Sequence, residues 1–210
     1  MLVTATACLL GFANGMRHAL EPDHLAAVST LVAGKRSATA SVRYAAAWGA
    51  GHAVMLVVAG GALALLRTKL PDLASDGLEL VVAAVLIGLG VRGLVQAAHA
   101  RTHAHGPETL TRLPFLVGLV HGLAGSGALA ALVVSQLASP AFAIGFIAIY
   151  AIGAALGMAT LAGVLGWPLA RLARAPRLVP VLVGLSAVAS LIVGVAWATP
   201  ILLRLATSIS

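Results

Sequence analysis

The residues most able to do chemistry lie between His18 and His24, inside the first apolar segment of the chain. An ionisable side chain at membrane depth costs roughly 2.5–3.5 kcal/mol on insertion scales, so several of them together indicate a function. Imidazole nitrogens suit nickel, cobalt, copper and zinc, whereas hard ions prefer oxygen cages. We therefore predict that His18, Asp23 and His24 bind a transition-metal ion.

Pro22 decides whether these three side chains can meet. On an unbroken helix His24 would point about 120° away from His18, because each residue turns by about 100°. Proline cannot donate a helical hydrogen bond and fits best at the first position of a helix. We predict a broken first helix, with Glu21 near the N-cap of its second half. Asp23 would then supply charge or hold a ligating imidazole.

A purely structural interpretation of this stretch stays open. Arg17 could pair with Glu21 four residues later, and Asp23 could cap the second half-helix. The two histidines would then be hydrogen-bonded residues without a ligand.

Two further histidines lie in later apolar segments. His52 follows Gly49-Ala50-Gly51, and such small residues let another helix approach closely. We interpret His52 as a ligand, although a helix–helix hydrogen bond is the simpler role. His121 lies among glycines that suggest a second broken helix, where it could be a ligand, a neighbour of one, or a gate.

Histidines 99, 103 and 105 form a cluster between segments, which could capture a metal ion or be a solvated hinge. Cys8 is the single cysteine, so no internal disulfide is possible, and packing explains it better than metal ligation. Whether Cys8 or the N-terminal amine joins the metal site is left open.

Composition places these residues in a membrane. Sixty per cent of the residues are apolar and 9% are charged, against about a quarter charged in soluble domains. Several apolar runs exceed the roughly 20 residues that cross a bilayer. The net charge of +7 comes from basic residues between these runs, which favours a topological role over nucleic-acid binding. The N-terminus lacks the basic flank of a signal peptide, so we expect no cleavage there.

The apolar runs predict an all-α integral membrane protein with about six transmembrane segments. The predicted spans are about 2–33, 42–66, 77–98, 113–137, 141–165 and 179–203. Every second connection is basic, namely 34–43, 99–112 and 167–177. The positive-inside rule therefore places both termini outside the cytoplasm of a multi-pass protein in the cell membrane.

We predict a single transmembrane transporter domain over residues 1–210, made of two pseudo-repeats at about 1–98 and 113–205. A loop at 99–112 joins them. When the two halves are aligned, His18 corresponds to His121 and Tyr44 corresponds to Tyr150. Three spans per half would make the repeats inverted, which is typical of transporters with a site at the midplane. Chance similarity among abundant Gly, Ala and Leu is the alternative.

These motifs resemble the nickel/cobalt transporter family. Its early span carries a His, four residues and then Asp-His, often after an Arg, as in residues 17–24 here. Its next span carries Gly-His before an apolar stretch, matched by Gly51-His52. The chain is short and lacks the acidic motifs of larger members, so it looks most like the compact, urease-linked nickel permease branch. The resemblance implies that His18, Asp23, His24 and His52 belong to the ion site.

We expect a secondary carrier for nickel, or cobalt, with uptake favoured over the alternative of efflux. No phosphate-binding loop is present, so the chain should not hydrolyse ATP, and we expect no enzyme activity and no resident cofactor. The expected partners are the metal ion, the lipid bilayer and, through the resemblance, urease maturation. Two other classes stay open: a haem redox protein using His52 and His121, and an intramembrane zinc hydrolase using His18, His24 and His52.

Overall fold

The computed structural model describes residues 2–33, 37–68, 70–99, 112–136, 139–172, 175 and 177–209. Within these ranges every regular element is helical, which confirms the predicted all-α class. The helices are α1 (Leu2–His18), α2 (Pro22–Val32), α3 (Ala38–Met55), α4 (Gly61–Leu66), α5 (Asp72–Ala98), α6 (Arg112–Gln136), α7 (Pro140–Leu172) and α8 (Val179–Ile209). A π-helical turn, Leu56–Gly60, joins α3 to α4.

Four stretches of helix in the described residues are long and apolar enough to cross a membrane. They are Ala38–Leu66, Asp72–Ala98, Pro140–Leu172 and Val179–Thr207. Helix α6 has a shorter apolar stretch, Arg112–Gly125. This is the make-up of a multi-pass membrane protein. Six spans and the side of each terminus stay predictions.

The break in the first helix is where the sequence predicts it. Helix α1 ends at His18, and the amide of Glu21 donates to the carbonyl of His18 at 3.0 Å. Pro22 is the first residue of α2, and Glu21 before it is extended, with φ −64° and ψ 147°. A residue before proline avoids the helical region, so the chain turns there and restarts as a helix.

Two sequence predictions about helix ends are wrong. Helix α6 runs unbroken through its glycines, because glycine keeps its N–H and removes no helical hydrogen bond. Helix α7 continues through Pro168 to Leu172, where a loop is predicted from residue 167. Arg171 lies over the ring of Trp167 at 3.8 Å, a contact that favours helix in this last turn.

Helices α1 and α7 touch through their backbones. A Cβ on Gly15 would collide with the carbonyl oxygen of Tyr150. A Cβ on Gly153 would collide with the carbonyl oxygen of Phe12. We call this the α1–α7 contact, and it exists only because both positions are glycine.

Helices α6 and α3 touch in the same manner. A Cβ on Gly118 would collide with the carbonyl oxygen of Trp48, and one on Gly51 with that of Phe115. The carbonyl of Trp48 has the position in this α3–α6 contact that the carbonyl of Tyr150 has in the α1–α7 contact. The predicted pairing of Tyr44 with Tyr150 is therefore displaced by one helical turn. Whether the halves are inverted repeats stays a prediction.

Candidate metal centre

The five predicted site residues lie together at the break between α1 and α2. They come from four helices: His18 ends α1, Asp23 and His24 begin α2, His52 lies on α3 and His121 on α6. Ligand atoms of His18, His24 and His52 all lie within 4.8 Å of one another. The same holds for Asp23, His24 and His121. His24 belongs to both groups and is the centre of the cluster.

These side chains are withdrawn from the surface. His52 is fully buried, His24 is 1% exposed, and His121 is 3% exposed. Asp23 is 6% exposed. Buried polar groups need hydrogen-bond partners or a bound ion, because desolvation is otherwise uncompensated.

Glu21 sets the tautomer of His18. Its Oε2 lies 3.0 Å from Nδ1 of His18. An ionised carboxylate only accepts, so the neutral ring of His18 carries its proton on Nδ1 and leaves Nε2 bare. That Nε2 lies 3.3 Å from Nε2 of His52. His52 must then donate from Nε2, and a cation bound between the two rings would displace this proton.

Asp23 stands between two imidazoles. Its Oδ2 accepts a hydrogen bond of 2.8 Å from Nε2 of His121. Its Oδ1 lies 3.0 Å from Nδ1 of His24, but this approach lacks the direction of a hydrogen bond, so both atoms count as unpartnered. The carboxylate also lies in the first turn of α2, where the helix dipole favours negative charge.

Three buried imidazole nitrogens of the cluster have no hydrogen-bond partner in the described part of the chain. They are both ring nitrogens of His24 and Nδ1 of His52. An unsatisfied buried polar atom costs about 1–3 kcal/mol. Imidazole nitrogens beside a carboxylate are the ligands that borderline transition metals prefer, so the donor set fits such an ion.

Trp48 forms one wall of the cluster. It is fully buried, with its ring centroid 5.4 Å from that of His24 and 5.5 Å, edge-on, from that of His121. Sequence reasoning missed this residue, although it lies one helical turn before His52. Its ring is apolar except at Nε1, which is buried without a hydrogen-bond partner among the described residues. The low polarity on this side strengthens electrostatic interactions inside the site.

Glu21 contacts His18 and not Arg17. The Arg17–Glu21 pair of the purely structural interpretation is absent from the described residues. The spacing of three residues between His18 and Glu21 could have indicated this contact. Glu21 does occupy the predicted N-cap position of α2, but its side chain makes no capping bond.

A cavity of about 400 Å³ opens from the cluster. Besides four of the five site residues, its lining comes from α1, the α1–α2 break and helices α5 to α8. These residues are Asn14, Arg17, Glu21, Glu79, Val82, Ala124, Gly125, Leu129, Phe146, Tyr150 and Trp197.

The other candidate ligands lie elsewhere. His99 is exposed at the end of α5, where its Nδ1 lies 2.8 Å from the carbonyl oxygen of Val95. His103, His105 and the N-terminal amine lie outside the described residues. Cys8 is partly buried on α1 and is in neither group of possible ligands found among the described side chains.

The chain has a curated relative of similar length. It is 31% identical over 182 residues to the urease accessory protein UreH of Bacillus sp. (strain TB-90), an alignment that covers 80% of each chain. No family model matches the chain. No solved structure matches it significantly either.

Proposed function

The chain belongs to the family of the urease accessory protein UreH, and we propose that it is a secondary carrier for a divalent transition-metal ion. We propose nickel as the preferred substrate and cobalt as the second candidate. The name of the relative connects that protein with urease, in agreement with the resemblance to urease-linked nickel permeases. The ion is cargo, bound and released during each cycle.

The convergence of five side chains from distant parts of the sequence carries the proposal. Asp23 and His121 meet at 2.8 Å, and His18 meets His52 at 3.3 Å. A structural knot of polar residues would satisfy its own hydrogen-bonding groups. Here both nitrogens of His24 are buried without a hydrogen-bond partner among the described residues, although Oδ1 of Asp23 lies 3.0 Å from Nδ1. A bound cation would supply the missing interaction.

We assign His18, His24 and His52 as the ligands that hold the ion directly. Glu21 directs Nε2 of His18 towards His52. Asp23 supplies negative charge beside His24 and orients His121. Such outer carboxylates orient ligating imidazoles and raise their basicity. Asp23 and His121 complete the coordination when the ion needs more than three ligands.

The electrical driving force favours uptake. A divalent ion moving into a negative interior gains about 4.6 kcal/mol per 100 mV, from about 2.3 kcal/mol per charge. Export would need a counter-ion, such as protons displaced at the site. The matching backbone contacts of α1 with α7 and of α3 with α6 support two related halves that meet around the ion.

The haem alternative fits the geometry poorly. The ring centroids of His52 and His121 are 6.1 Å apart, and His24 lies 5.1 and 4.6 Å from them. A porphyrin between the two rings would need the space that His24 and Trp48 fill. A purified protein without a strong visible absorption band is the expected outcome.

Uptake of radioactive nickel into cells tests the proposal. Wild type should accumulate nickel in a potential-dependent manner, and His24→Ala should abolish accumulation at equal membrane level. His99→Ala removes a histidine outside the cluster and should transport normally. Equal accumulation by wild type and His24→Ala, for nickel and for cobalt, would overturn the proposal. If wild type lowers the cellular nickel content and His24→Ala does not, the proposed site stands and the direction of transport is export.

A further inference from the structure

The cavity beside the cluster extends towards one end of the helices. On α6 its lining steps from His121 to Gly125 and Leu129, one turn at a time towards the end of that helix. On α7 it follows Phe146 and Tyr150, near the beginning of that helix. On α5 it includes Glu79, two turns after the first residue.

These three helix ends lie at the same end of the molecule. Helix α7 begins four residues after α6 ends. Helix α4 contacts both α6 and α7, and α5 begins six residues after α4 ends. The basic connections predicted to be cytoplasmic, 34–43, 99–112 and 167–177, join the opposite helix ends. By the positive-inside rule the cavity therefore leads to the extracytoplasmic side.

The charge of the cavity is opposite to that of the chain. The whole sequence carries a formal charge of +7, but the cavity is lined by three carboxylates, Glu21, Asp23 and Glu79, and one guanidinium, Arg17. With neutral histidines the lining is net negative. A cleft of one charge sign between apolar walls focuses the field and concentrates ions of the opposite sign.

Glu79 is the carboxylate of this lining that the metal cluster does not use. Glu21 contacts His18, and Asp23 contacts His121. Glu79 is half-buried, and no cation of the described chain pairs with it. Its neighbour Asp76, one turn nearer the beginning of α5, is paired with Arg204 at 2.8 Å. Glu79 thus has no ion pair among the described residues, while the nearest acid on the same helix is paired.

We propose that Glu79 is the cation-attracting residue of an extracytoplasmic entrance, through which the metal ion reaches the imidazole of His24. The inference rests on the proposed carrier function. It adds the path by which the ion reaches the cluster, the side of the membrane from which it enters, and Glu79 as a residue that is not a ligand. Glu79 does not hold the ion at the centre. It raises the local concentration of divalent cations on the way there.

Uptake kinetics test the role of Glu79. Glu79→Gln keeps the shape of the side chain and removes its charge, so the apparent KM for nickel should rise roughly three- to tenfold at an unchanged maximal rate. High ionic strength should reduce the difference. Asp72→Asn removes an exposed charge from the same helix outside the cavity and should behave as wild type.

The variants separate the two proposals. If Glu79→Gln has the KM of wild type while His24→Ala abolishes uptake, the proposed entrance role of Glu79 is overturned. The proposed carrier function then still stands. Normal uptake in His24→Ala overturns the carrier function itself. A complete loss of maximal rate in Glu79→Gln would make Glu79 a ligand and would also overturn its role as an entrance residue.

Thiol labelling in whole cells tests the side of entry without relying on transport. In a Cys8→Ala background, Glu79→Cys should react with a membrane-impermeant methanethiosulfonate added outside, because its thiol would line a cavity that opens to that side. Asp72→Cys, exposed at the beginning of the same helix, is the control and should react from the same side without the cavity. Labelling of Glu79→Cys only in inside-out vesicles would place the cavity on the cytoplasmic side and overturn the proposal.

Discussion

The α1–α7 contact and the α3–α6 contact share a backbone arrangement but carry different side chains. In each, a glycine of one helix lies against a carbonyl of the other, and the relation is reciprocal. The residue after the buried glycine is His52 in α3 and Ala154 in α7. Close helix contact is therefore the common framework, and the histidine side chains are added to it at particular positions.

The partners α1 and α6 differ in their continuity. Helix α1 stops at His18 and the chain restarts at Pro22, which places Asp23 and His24 beside His18. Helix α6 continues past His121, so His121 brings no neighbouring ligand from its own helix. A single proline thus determines which of two similar helices supplies most of the cluster.

The largest effect should come from filling the two contacts. Gly15→Val and Gly118→Val each put a branched side chain against a carbonyl, which should destabilise the fold by about 3 kcal/mol or more. Gly88→Val is the control, because a Cβ there meets nothing within 4 Å. Thermal unfolding in detergent measures the effect. A marked difference between the first two variants would break the equivalence of the contacts.

Removing the carboxylate that orients His18 should weaken metal binding next. Glu21→Ala leaves the tautomer of His18 unfixed, so the nickel affinity of purified protein should fall roughly 10–100-fold. Titration calorimetry measures it, with Asp72→Asn as a charge control. Unchanged affinity would show that the 3.0 Å contact between Glu21 and His18 does not prepare a ligand.

Making α1 more like α6 should have the smallest of these effects. Pro22→Ala restores an N–H and removes the restriction on Glu21, so a continuous helix competes with the break. We expect nickel affinity to fall about tenfold, since His18 and His24 would diverge. Pro200→Ala, within α8, should leave affinity unchanged. Equal affinity of Pro22→Ala and wild type would mean that packing alone holds the break.

The sequence alone was sufficient for the helical class and the position of the break, and it singled out five side chains that the fold brings together. Each follows from local chemistry. Apolar length is measured against bilayer thickness, and proline lacks an N–H wherever it stands. Ionisable groups in an apolar segment are costly, so His18, Asp23, His24, His52 and His121 were conspicuous before their positions were known.

Tertiary structure alone decided how these residues are used. The glycines near His121 are compatible with a break or with close packing, and in the structure Gly118 and Gly122 pack against the backbone of α3 within an unbroken α6. Glu21 could reach Arg17 or His18, and the chain turn at Pro22 places it against His18. Trp48 and Glu79 acquire a role only when α3 and α5 bring them to the cluster and its cavity. Sequence lists chemical groups, but distances between groups on different helices depend on packing, which no local pattern encodes.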